Sequence, residues 1–132
     1  MDVTPPKPPT VRLSSAWAKV TVVAWIIVMA ALIAVVVTGR NVGKPAWWIG
    51  PESNPSFFLL WIAPFVLPLW TILLAFRSSR FVPIVGVVAS VVAAGFAAGD
   101  IVDSPGVALV MGVVALSGLC VALATFAGLE RR

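Results

Sequence analysis

Residues 20–38 read VTVVAWIIVMAALIAVVVT, nineteen positions from Val20 to Thr38 without one Asp, Glu, Lys or Arg. A charge at the centre of a bilayer costs several kcal/mol, so a run of this length without one is the mark of membrane insertion. As helix it spans about 28 Å, close to the ~30 Å of a hydrocarbon core. Three more stretches behave alike: Phe57–Phe76, Val82–Gly99 and Gly106–Gly128, of 20, 18 and 23 residues. All fourteen charged side chains lie between these stretches or outside them. The pattern predicts an all-α integral membrane protein, with four transmembrane helices over about 20–38, 57–76, 82–99 and 106–128 in an antiparallel bundle.

Composition narrows the chemistry. The chain has 132 residues, 61% hydrophobic and 11% charged, which excludes an ordinary soluble fold. Its net charge of +4 comes from basic residues that flank the apolar runs, so it predicts the lipid bilayer as partner and no nucleic acid. There is no histidine, and the single Cys120 lies in the fourth stretch. An intrachain disulfide is therefore impossible, a Cys/His metal site within one chain is excluded, and Cys120 reads as a small packing residue. With no membrane carboxylate pair, Gly-rich phosphate loop or HExxH, no enzyme, metal site or cofactor is predicted.

The basic residues also set an orientation. Lys7, Arg12 and Lys19 precede the first stretch, Arg77 and Arg80 join the second to the third, and Arg131 and Arg132 follow the fourth. Four crossings put these seven on one side and only Arg40 and Lys44 on the other, so both termini are expected in the cytoplasm. Trp17 on one boundary and Trp47 and Trp48 on the other suit aromatic belts. The Val/Ala-rich, Lys-poor composition suggests a GC-rich bacterial genome, and the expected location is the bacterial cytoplasmic membrane. The first stretch also has the basic flank of a signal peptide, with Val37-Thr38-Gly39 as a cleavage site, but it is longer than the usual h-region.

Residues 1–15, with Pro5, Pro6, Pro8 and Pro9, read as a disordered Pro-rich cytoplasmic leader ahead of a membrane domain over 16–132. The loop 39–56 carries Lys44-Pro45-Ala46-Trp47-Trp48-Ile49-Gly50-Pro51. Its paired tryptophans make Trp47 and Trp48 the candidate partner-docking residues, with an interfacial anchor as the alternative. Pro64 and Pro68 stand one turn apart in the second stretch and are candidate kink residues, since each removes a donor and crowds the carbonyl four positions earlier. Arg77-Ser78-Ser79-Arg80 is a tight connection that forces a helical hairpin, and its two arginines suit anionic headgroups.

Small residues predict the packing faces. Gly86, Ser90, Ala94 and Ala98 recur every four positions in the third stretch, with Val88, Val92 and Phe96 roughly opposite. Ala108, Gly112, Ala115 and Ala122 form the candidate face of the fourth. Asp103 and Ser104 before Pro105 read as capping groups for the last helix, while Asp100 has no evident structural task.

In size and span count the chain resembles the small multidrug transporters, whose chemistry depends on a carboxylate in the first span. Val20–Thr38 contains none, so proton-coupled antiport of that kind is not expected. The function expected is that of an accessory or interaction subunit of a larger membrane complex, binding a membrane-protein partner or a second copy. The alternatives are an oligomeric channel or transporter and a prophage-type membrane defence or exclusion protein.

Overall fold

The computed structural model describes residues 3–51 and 53–131. Four α-helices, α1 (Ser15–Asn41), α2 (Phe58–Phe76), α3 (Val82–Ala98) and α4 (Pro105–Thr125), fall on the four charge-free stretches. Strands β1 (Val11–Leu13) and β2 (Leu129–Arg131) flank them, the second after a 3-10 turn at Phe126–Gly128. By length and composition α1, α2 and α4 can each cross a membrane, whereas α3 is shorter. Its 17 residues make about 25 Å of helix, continued by a turn at Gly99 and Asp100.

Capping explains why α1 outruns its apolar stretch at both ends. The Ser14 hydroxyl accepts the Trp17 amide at 3.3 Å. At the other end Gly43, at φ +73°, donates to the Arg40 carbonyl, and Lys44 donates to that of Gly39. These two bonds make a Schellman motif, with Pro45 just beyond it. At α4, Pro105 takes the first helical position, but the side chains of Asp103 and Ser104 do not cap it. Asp103 is exposed, and the Ser104 amide instead bonds the Asp100 carbonyl at 2.9 Å, turning the chain with backbone alone.

The helices form a ring in which each packs on its two neighbours, most closely α3 on α4. Their buried positions alternate by three and four: Ala18, Thr21, Trp25, Val28, Leu32, Val35 and Gly39 on α1, and Ala108, Met111, Ala115, Gly118, Ala122 and Thr125 on α4. This 3.5-residue repeat is the seam of a left-handed bundle.

That repeat corrects the expected face of α3. A spacing of four turns about 40° per step, so Ala98 lies about 120° around the helix from Gly86. Gly86 and Ser90 are buried, Ala94 and Ala98 are exposed, and the seam continues through Ala93 and Ala97. On α4, Ala108, Ala115 and Ala122 are buried, but Gly112 sits at the edge of the seam and a Cβ there would meet nothing within 4 Å. Phe96 is half-buried and packs on the core, against the expectation of an outward bulky face. Cys120 points outward and is exposed, so it fills no interior space.

Pro64 and Pro68 are buried on the inner side of α2, which remains helical through both. Three interior hydroxyls bond within their own helices: Thr71 to the Leu67 carbonyl, Ser90 to Gly86 and Thr125 to Val121, at 2.7–2.9 Å, whereas that of Thr21 has no partner among the described residues.

The segment expected to be a disordered leader contains β1, which pairs antiparallel with β2 in the register Val11↔Arg131, Arg12↔Glu130, Leu13↔Leu129. Burial drives this ordering. Leu13 packs with Ala18, Ala75 and Val82, its amide bonds the Ser78 carbonyl, and the Ser14 amide bonds that of Gly128. One end of the bundle thus gathers β1, β2 and the α2–α3 turn with their arginines. The opposite end is closed by residues 42–51 and 53–57.

Candidate functional site

The closing loop is built from the Schellman turn onward. Ala46–Gly50 makes one helical turn, with the Ile49 and Gly50 amides on the Ala46 carbonyl, and that turn points adjacent tryptophans in different directions. Trp48 is 0% exposed and enters the bundle between the helices, edge-on to Phe65 of α2 at 6.0 Å and to Phe96 of α3 at 5.9 Å. Ala46 and Ile49 follow it into the same core, beside Leu32, Val35 and Met111. Trp47 is 43% exposed and lies flat on Phe96, ring centres 5.5 Å apart.

Two bonds tie Trp47 to the end of α3. Its indole N–H donates to the Phe96 carbonyl at 2.9 Å, one of the carbonyls that a helix end leaves without an intrahelical partner. Its backbone N–H donates to Asp100 Oδ1, also at 2.9 Å. The indole runs so close over Gly99 that any side chain there would collide with it. On the α2 side, the Trp61 indole donates to the Ile49 carbonyl at 3.2 Å, and the Arg40 guanidinium stacks 5.3 Å over the Trp61 ring. The Ser56 hydroxyl closes the loop on the Trp47 carbonyl.

Asp100, unexplained by sequence, is therefore the anchor of this loop. It is 1% exposed, and its Oδ2 has no hydrogen-bond partner among the described residues. Burial pushes its carboxyl above the ordinary range; the Trp47 amide pulls the other way, and Asp103 adds a smaller upward push. Nothing in the sequence around Asp100 pointed to a partner fifty-three positions upstream.

The pair proposed for docking is thus divided. Trp48 is a core residue and cannot meet a partner without the loop unfolding, whereas Trp47 offers one face. Of the candidate packing residues, Gly86, Ser90, Ala108, Ala115 and Ala122 are buried in the bundle, while Ala94, Ala98 and Gly112 are not. Trp25 was not singled out as a packing group, yet its indole is fully buried over Gly86 and Gly118, where an added Cβ would approach it to 3.1 and 3.3 Å. Among the described residues no group of three His, Cys, Asp or Glu is placed to hold a metal. Comparison with protein-family models, curated sequences and solved structures returned no match.

Proposed function

We propose that this chain is a non-enzymatic, four-span subunit of a larger complex in the bacterial cytoplasmic membrane, with both termini in the cytoplasm, and that it acts by binding another membrane protein. The observation that supports this reading is the filled axis of the bundle. Trp25, Leu32, Trp48 and Met111 are buried together along it, and the loop end is stoppered by Trp48 and Ile49. A single copy with an occupied interior works through its outer surface. That surface is apolar along the helices, with Ile26, Ile27, Val113 and Leu116 exposed, and carries the accessible face of Trp47 at the loop end.

Copurification at native expression in mild detergent tests the proposal. A defined membrane-protein partner should follow the tagged chain in constant ratio. Migration as a lone chain, with no partner recovered after cross-linking in cells, rules it out.

A further inference from the structure

The basic end holds two adjoining grooves that the interaction role leaves unused. One, of about 460 Å³, has Lys7, Arg12 and the hydroxyl-bearing Ser15 and Ser78 in its wall. The other, of about 630 Å³, has Arg12, Arg77, Ser79 and Arg80, with Leu74 and Val11 as apolar wall. They share Arg12 and Ser78, so both sides of that ridge are cationic. Two chain segments, residues 7–12 and 77–80, supply the four cations, and the fold brings them together through the Leu13 to Ser78 bond at 3.1 Å. Among the described residues no carboxylate lines either groove; Glu130, opposite Arg12, is the acidic residue of the ribbon.

Two details make this more than a scatter of topological charge. Ser78 stands at φ +51°, a left-handed conformation uncommon for a residue with a side chain, and its carbonyl is held by β1. Arg80 stacks over Phe81 at 4.9 Å, which limits where its guanidinium can go. Guanidinium groups with neighbouring hydroxyls match phosphate oxygens, and the grooves open at the end of an apolar bundle, where phospholipid headgroups lie.

We infer that these grooves bind a phosphate-bearing anion, with Arg12, Arg77 and Arg80 as its main contacts. The shared chemistry is a phosphate group, carried by an anionic phospholipid or by a small soluble phosphate. The experiment uses the full chain in uncharged detergent, titrated with phosphatidylglycerol, with phosphatidylcholine of the same acyl chains, and with inorganic phosphate. Bound lipid is read by native mass spectrometry and bound phosphate by the shift in melting temperature. Phosphatidylglycerol should bind in preference to phosphatidylcholine. Arg12→Gln should weaken it by about fivefold, and Arg77→Gln with Arg80→Gln together by about 25-fold. Arg12→Lys should retain much of the binding, and melting temperatures without ligand should stay within a few degrees, which separates lost binding from lost folding.

Lys19→Gln and Arg131→Gln remove charge at the same end but outside both grooves, and should have little effect. Inorganic phosphate competing with the same arginine dependence supports the site and assigns it a soluble ligand. Equal losses from the two control variants, or equal binding of phosphatidylcholine, would reduce the grooves to diffuse surface charge and overturn the inference.

Discussion

Trp47 and Trp48 show how little residue type says about role. They are the same amino acid in adjacent positions, yet the turn at Ala46–Gly50 sends one into the core and leaves the other half outside. Trp48→Ala should therefore lower stability by about 3–5 kcal/mol, as removal of a buried aromatic does. Trp47→Ala should cost distinctly less, and thermal unfolding in detergent compares them; equal losses would contradict the burial difference. Asp100 gives a second test at this scale. Folded Asp100 holds its proton more tightly than the ordinary carboxyl of pKa 3.8. Its contribution to stability is then full below that value and is lost as pH rises through the folded pKa. Asp100→Asn, which keeps an oxygen for the Trp47 amide without the charge, should stabilise the protein at neutral pH and flatten this dependence. Asp100→Ala leaves that amide without its acceptor and should cost about 1–3 kcal/mol. A steeper pH profile in Asp100→Asn would show that the carboxylate is stabilising as an ion.

At the scale of the element, helices were legible and their faces were not. Absence of charge marks a membrane-compatible helix whatever its rotation, and this located all four within a few residues, except where α1 continues past its apolar stretch to Ser15 and Asn41. The inward face is normally read from polar positions, but α3 and α4 are apolar all round, and small residues occur on every side of α3. A four-residue ladder drawn through them drifts off the true 3.5-residue seam, which is why Ala94 and Ala98 were misplaced. The corrected seam has a direct consequence. A Cβ at Gly86 would come within 2.9 Å of that of Ala122, and at Gly118 within 3.0 Å of the Ser90 hydroxyl, whereas Gly112 has open space. Gly86→Leu and Gly118→Leu should each cost about 1–3 kcal/mol through overpacking, and Gly112→Leu should be close to neutral. Denaturation of the three variants side by side decides it; a large loss at Gly112 would place that residue in the packing face after all.

For the molecule as a whole, the proposed four-span topology turns on α3, which is shorter than the other three helices. With Cys120 replaced by Ala, single cysteines at Ser53 and Val102 should react with an impermeant maleimide on intact cells, and one at Ser15 should not. All three parent positions are exposed, so access is decided by side rather than burial. Protection at Val102 with labelling at Ser53 would mean that the hairpin of α3 and α4 fails to reach the far surface. The ribbon and the stoppering loop were beyond the sequence for a common reason. Both depend on contacts between distant segments, Arg12 with Glu130 and Trp47 with Asp100, that no local pattern encodes.

The ribbon also constrains how the protein is made. β1 leaves the ribosome ahead of every described helix, but β2 follows α4, so β1 has no pairing partner until all four helices have been made. Leu13 must wait while the three helical hairpins are completed. A chain stopped after Gly128 would carry all four described α-helices and still lack the strand that fastens the start of α1 to the end of α4. Residues 129–131 can thus fasten the start of α1 only in copies whose α4 already lies beside it.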